Sequence, residues 1–265
     1  YKRETEDITL PSALGDELSN SDISADGATA GLSWINEDQS FIGVSFGQYN
    51  NNYGLPAEEN ADELVRLDVE QDRFDIKGAL FEPFTGVKKI KFRYGRNNYK
   101  HVELEGEEIG TTFTNKADEA RLELLHIPLD GWQGALGVQV NNRDFSAIGE
   151  EAFVPPSTTE SLGVFIVEEK SFNNVNVEVG IRSDKQTLNS DNLRNSLTDN
   201  AFSASIGGLW KFHPSYSLSL ALARAQRIPN AEELLSYGPH LATQSFELGN
   251  IDLKKESANN IDLSL

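Results

Sequence analysis

Histidine and carboxylate are the residues of this 265-residue chain best equipped for chemistry, with 4 histidines set against 42 aspartates and glutamates. His101 opens the run His101-Val102-Glu103-Leu104-Glu105-Gly106-Glu107-Glu108. If a β-strand runs through it, His101, Glu103 and Glu105 share one face, because strand side chains alternate. His240 sits in the stretch 227–250, in the turn Tyr237-Gly238-Pro239-His240, with Glu232 and Glu233 before it and Glu247 after it. Imidazole with carboxylate is a fitting ligand set for zinc or a similar divalent ion. The pairs Glu58-Glu59 and Glu150-Glu151 would strengthen the attraction for cations. Blander readings stand beside these. His240 packs against Tyr237, and the acidic runs are solvated loops. His126 and His213 flank tight turns, which favours structural roles. No nucleophile–base arrangement is evident, and Gly207-Gly208 lies inside a strand with no helix after it, so neither catalysis nor a phosphate loop is implied. No cofactor is required; zinc or another divalent metal would be a bound ligand rather than a catalytic group.

The elements that position these residues have a period of two. Trp132, Leu136, Val138 and Val140 share one face, opposite Gln133, Gly137, Gln139 and Asn141. Val175, Val177, Val179 and Ile181 lie opposite Asn176, Glu178, Gly180 and Arg182, and the pattern recurs in 87–95, 199–212 and 215–226. About eleven such strands are expected, with no amphipathic helix of useful length. Tight turns are centred near residues 38, 84, 130, 173 and 214, and longer polar connections fall near 50–62, 98–112, 142–158, 183–198 and 227–255. Short and long connections alternate, so an up-and-down meander has all its tight turns at one end and its long loops at the other. That asymmetry, with Trp34, Phe41, Trp132, Phe145, Trp210, Phe212 and Tyr216 near strand ends, points to an antiparallel transmembrane β-barrel.

Composition agrees. A net charge of −19 excludes nucleic acid as a partner and favours cations. Cysteine is absent, so there is no disulfide frame or thiolate metal site. Methionine is absent even at position 1, so the chain is expected to begin inside a longer precursor. No run reaches the ~18 apolar residues of a membrane helix, and mean hydropathy is −0.43. Membrane strands escape that test, because only every second residue meets lipid.

The run Arg227-Ile228-Pro229, Ala231-Glu232-Glu233-Leu234, Tyr237-Gly238-Pro239-His240, Phe246-Glu247-Leu248-Gly249-Asn250, then Leu253, Glu256-Ser257 and Asn259-Asn260 resembles the barrel of TonB-dependent outer-membrane receptors, most of all the zinc-uptake branch. The stretches 41–57, 66–115 and 141–169 are similar to other parts of that barrel in register. The resemblance implies a bacterial outer-membrane location and part of a 22-stranded barrel. It also implies a plug and a short box that engages the TonB complex, neither of which is found in these residues. The expected domain is 1–265, the barrel portion alone. Lipid and lipopolysaccharide would surround it, and a metal ion or metal complex would be its substrate. On this resemblance 227–250 is an extracellular loop, and Tyr237, Glu232, Glu233, Glu150 and Glu151 would belong to loops that contact substrate. The place where zinc-branch members carry a histidine-rich segment is here 57–63, acidic and without histidine. A passive porin-type channel and a soluble β-sandwich binding module are the alternative readings.

Overall fold

The structure is a computed structural model that describes residues 1–9, 17–56, 64–106, 108–149, 152–240 and 245–265, with His240 described through its backbone alone. The strands in the first half are β1 (Lys2–Thr5), β2 (Ile8–Thr9), β3 (Glu17–Leu18), β4 (Ile23–Ile35), β5 (Phe41–Gly54), β6 (Val65–Phe84), β7 (Val87–Glu105) and β8 (Glu108–His126). Then come β9 (Trp132–Gly149), β10 (Ser157–Phe172), β11 (Val175–Ser190), β12 (Leu197–His213) and β13 (Tyr216–Arg227). A five-residue helix α1 (Ala231–Leu235), a hairpin of β14 (Tyr237–His240) and β15 (Ser245–Leu248), and β16 (Glu256–Ser264) complete the chain.

One 12-stranded antiparallel sheet takes the order β1-β4-β5-β6-β7-β8-β9-β10-β11-β12-β13-β16, each strand beside its chain neighbour apart from the small hairpins β2-β3 and β14-β15. The count is twelve rather than eleven. Every predicted tight turn is present. Asn173 (φ 48°) bends the chain between β10 and β11, and Asp130-Gly131 (φ 49° and 78°) does so before β9. Both positions use residue types that tolerate the left-handed region. The connections near 98–112 and 183–198 are largely strand, not loop, and β7 and β8 are joined across 106–107 alone. Their side chains are mostly polar, so the apolar alternation there, as at Val102 and Leu104, is too short to announce a strand. Backbone ladder bonds do not require an apolar partner.

One face of the sheet is apolar and open. Cross-strand rows such as Phe92–Leu122–Val138–Val164 and Val44–Ile76–Tyr94 run along it. Leu122, Val164, Ile206 and Leu220 are exposed there, and no second sheet covers them. That rules out the β-sandwich reading, in which two sheets bury their apolar faces against each other. On β6 the apolar run spans Phe74 to Leu80, about 20 Å of strand at about 3.3 Å per residue, within the ~25 Å band of an outer-membrane barrel. Beyond it the same face turns polar with Asp72, Glu70 and Asp68, and on β7 with Arg96, Asn98 and Lys100. At the tight-turn end Trp210, Phe212 and Tyr216 form a run of aromatic contacts, with ring centroids 5.3 and 6.4 Å apart, as at a lipid–water boundary.

The opposite face is a polar lattice. Arg121 donates to Glu123 at 2.6 Å, Lys91 reaches the same carboxylate at 3.3 Å, and Arg182 pairs with Asp184 at 2.6 Å. Gln139 accepts from both Arg121 and Arg182, and Arg121 lies 4.4 Å over the Phe165 ring. Ser40, Ala79 and Val87 are buried beside the tight turns, but among the described residues most burial lies toward the long-loop end. There Asn20, itself at φ 61°, donates to the carbonyls of Leu55 and Val65, and Arg66 holds Asp22 at 2.7 Å. Gly54 lies so close under Asn20 that a Cβ would strike that residue's backbone.

Candidate functional site

Two groups of residues at the long-loop end stand out, one on the wall and one in the loop that crosses it. On the wall, β7 carries Tyr99, His101 and Glu103 on the polar face. His101 lies seven residues beyond Tyr94, where the outer apolar band ends, so it stands about 23 Å further along the strand. The His101 ring is stacked on Phe113, its cross-strand partner, at 4.4 Å and 17°, and Tyr99 meets it edge-on at 5.5 Å. His101 Nε2 is 3.7 Å from the Glu103 carboxylate, and its Nδ1 is buried without a hydrogen-bond partner. Glu103 is only 5% exposed. Tyr53, in the same cross-strand row through Leu67, and Tyr99 both lie within range of the Glu103 charge. Glu105 shares the face, as the alternation predicts, with its carboxylate against Gly110.

The loop after β13 is held by a compact set of bonds. Arg227 at the strand end donates to both Glu233 oxygens, at 2.8 and 2.7 Å, and to Glu256 at 3.0 Å. Asn230 and Glu233 form a reciprocal capping box on α1, at 2.8 and 2.9 Å, which starts the helix immediately after Pro229. Glu232 reaches back to the wall and accepts from Arg143 at 2.7 Å, and Gln186 donates to the Pro229 carbonyl at 3.1 Å. Below the helix, Leu188 of β11 packs with Ala231 and Leu234 in a small buried cluster. Since Arg143, Gln186 and Leu188 all belong to the polar face, the loop folds over that face. The following hairpin is anchored by Tyr237 N to the Phe153 carbonyl and Gly249 N to the Ser236 carbonyl, both at 2.7 Å.

Glu232 and Glu233 are therefore committed to holding the loop. The two hydrogen bonds from Arg227, with one from the Asn230 amide, lower the Glu233 pKa from its ordinary 4.5 to about 2. A depressed carboxyl stabilises the fold fully above its unfolded value and loses that contribution as pH falls through the folded value. Hydrogen exchange in 228–236 is accordingly expected to be flat above pH 4.5, after correction for intrinsic rates, and to accelerate between pH 4.5 and 2. Glu233→Gln should abolish that acceleration. An unchanged profile in this variant would assign the acid response to another group.

The remaining expected site residues are dispersed. The His240 backbone pairs with Ser245 across the hairpin, while its side chain lies outside the described set, as do Glu58, Glu59, Glu150 and Glu151. Glu247 stands opposite Gly238 and accepts from the Ser245 hydroxyl at 3.0 Å. Tyr237 is exposed and meets Phe246 edge-on at 5.5 Å. At the far end His126 pairs with Glu168 at 3.0 Å, and His213 Nδ1 accepts from the Ser215 amide at 3.2 Å. Among the described residues no three His, Asp or Glu side chains gather in metal-binding geometry. Arg143, Tyr53 and Phe113 escaped the sequence reading, and Arg227 entered it only as part of the family motif. Their alternation marks the face they occupy, but their partners are set by pairing across strands or across the loop.

A family model described as "TonB dependent receptor-like, beta-barrel" matches residues 5–265. Among solved structures the chain is similar to the copper transporter OprC, at 12% identity and a TM-score of 0.78, over 99% of this chain and 45% of that one. The Serratia marcescens hemophore receptor HasR, solved with its hemophore HasA and heme, matches at 12% identity and a TM-score of 0.77, over 99% and 45%. The FrpB iron transporter from Neisseria meningitidis matches at 11% and 0.73, over 86% and 42%. The chain thus spans less than half the length of these proteins, and the twelve strands correspond to part of a 22-stranded barrel.

Proposed function

The chain belongs to the TonB-dependent receptor-like β-barrel family, and on that premise we propose that the protein binds a scarce metal ion or metal complex at its outer loops and imports it with energy from the TonB complex. Family members are outer-membrane transporters, not enzymes. The wall described here separates lipid from lumen, with its tight turns at the periplasmic end and its long loops outside. The observation that carries the reading is the inward fold of 229–235 onto lumen-facing Arg143, Gln186 and Leu188. A loop held across the mouth by the barrel wall itself suits a gated receptor better than an open pore.

The preferred cargo is zinc, with His240 and Glu247 as ligands and Tyr237, Glu150 and Glu151 as further loop residues to contact it. The net charge of −19 supports a cationic cargo, because it draws cations toward the mouth. The neighbouring proteins named for copper, iron and heme make another metal or a chelate the competing choice. Above the apolar band, Lys100, Arg96 and Lys116 on the outer face offer cationic contacts for lipopolysaccharide phosphate.

Radioactive zinc accumulation in cells that express the full receptor and lack other zinc importers tests this reading. Uptake should saturate with concentration and stop when TonB is deleted. Uptake independent of TonB would make the protein a passive channel. Uptake of iron or heme instead of zinc would retain the receptor and discard the cargo.

A further inference from the structure

We infer that Arg93, with Lys77 and Arg121 on either side, forms a binding site on the lumen wall for an oxyanion, the carboxylate or phosphate group of a small molecule. Strand register sets the three side by side on the polar face, Lys77 on β6, Arg93 on β7 and Arg121 on β8. Like charges directly opposite one another on paired strands are destabilising. The row is the more unusual in a chain whose 42 acidic residues outnumber its 23 basic ones. The carboxylates of the adjoining rows are committed elsewhere. Arg73 donates to both oxygens of Asp75, at 2.8 and 2.9 Å, Arg121 and Lys91 share Glu123, and Glu119 accepts from Gln139 at 2.9 Å. Among the described residues Arg93 has no hydrogen bond, ion pair or ring contact, whereas Arg73, Arg121, Arg143 and Arg182 on the same face all have partners.

The surroundings suit an anion. Lys77, Arg93 and Arg121 line an open concavity of about 590 Å³ together with Arg73, Asn97 and Asn141. In the next row Gly95 stands between Asp75 and Glu119, so no side chain rises beside Arg93 on its own strand. The exposed Arg93 guanidinium is therefore open to two oxygens in parallel, a geometry that carboxylate and phosphate both match. Lys77 adds a point charge, and the Asn97 and Asn141 carboxamides supply neutral donors. Arg93 lies between Phe92 and Tyr94 of the outer band, so hydrocarbon stands behind it, and a wall of low dielectric strengthens the field of the row. A bare metal ion is repelled here. The site is thus separate from the metal contacts proposed at the loops and independent of which metal is carried.

The test is calorimetric titration of the detergent-solubilised full receptor at low ionic strength, with citrate and, separately, with inorganic phosphate. It compares wild type, Arg93→Gln, Arg93→Lys and Lys100→Gln. Wild type should bind one or both anions saturably, and more weakly as salt is added. Binding of citrate alone assigns the site to carboxylate, and binding of phosphate alone to phosphate. Arg93→Gln should weaken the affinity by roughly tenfold or more, the usual effect of losing a charged hydrogen-bonding partner. Arg93→Lys keeps the charge but not the fork and should fall between the two. Lys100→Gln, on the same strand but on the outer face, should bind as wild type does. Without anion, Arg93→Gln should melt at a higher temperature than wild type, because the repulsion within the row is relieved. Superimposable isotherms for Arg93→Gln and wild type would overturn the site. So would an equal loss in Lys100→Gln, or no heat from either anion in the wild type. A lower melting temperature for Arg93→Gln would also overturn it, since an acidic side chain from elsewhere in the receptor would then already hold Arg93.

Discussion

Val138→Arg is expected to destabilise the inserted barrel by about 2–4 kcal/mol, the usual effect of arginine at the midplane of a lipid-facing strand. Val138 lies in the row Phe92–Leu122–Val138–Val164, within the apolar band on the outer face. An arginine there must bring its charge and hydrogen-bond donors into hydrocarbon. The control is Asn141→Lys, three residues along the same strand but on the lumen face, in the row with Glu119 and Ser161. A lysine there meets water and an acidic neighbour, and its effect should stay within about 0.5 kcal/mol, as for most exposed substitutions. Urea unfolding of the full receptor in lipid vesicles compares the two. If Asn141→Lys proved as disruptive as Val138→Arg, the assignment of lipid and lumen faces would be inverted or wrong.

Leu188→Ala should free the loop that crosses the mouth without disturbing the wall. Leu188 is only 2% exposed and supports Ala231 and Leu234 of α1, with Leu193, Leu197 and Leu235 at the margin. Leucine-to-alanine changes in buried clusters cost about 2–5 kcal/mol, less where the surroundings can collapse. A small cluster at a loop edge belongs at the low end, near 2 kcal/mol, which corresponds to roughly a thirtyfold loss of protection. Hydrogen exchange of the 228–240 segment in the full receptor reads this directly. Leu222→Ala, on the lipid face of β13, should leave the segment unchanged. Equal protection in Leu188→Ala and wild type would mean that Arg227, Asn230 and the Arg143–Glu232 pair hold the loop without apolar support.

Several features were legible in the sequence because they are local. Alternation in 131–145 and 174–182 fixed both strand and face, since a one-residue slip would exchange lipid and lumen sides along the entire strand. Asp130-Gly131 and Asn173-Asn174 announced their turns through residues that tolerate positive φ. Asn230 with Glu233 is a helix-start signature at fixed spacing, although so short a helix gave no periodic signal of its own. The extent of β7 and β8 was not legible. Toward their outer ends most side chains of these strands are polar, so the pattern that reveals a strand weakens while the backbone pairing continues.

His101 and Glu103 illustrate the division most clearly. Their spacing of two determined, without any structure, that they would share a face, and the polar alternation of the neighbouring segments determined that the face would be the lumen. Whether the pair would be exposed and solvated or enclosed depended on Phe113 arriving from β8 and on Leu67 and Tyr53 arriving from β6 and β5. Those neighbours are fixed by strand register, which is summed over whole hairpins and turns and cannot be read from the run 101–105 itself. The same holds for Glu232 and Arg143, which are 89 residues apart in the chain and 2.7 Å apart in space. The sequence by itself determined the strands, their two faces and the charge that draws cations. Only the tertiary structure decided which carboxylates are committed to holding the fold, because that depends on what the neighbouring strands bring alongside.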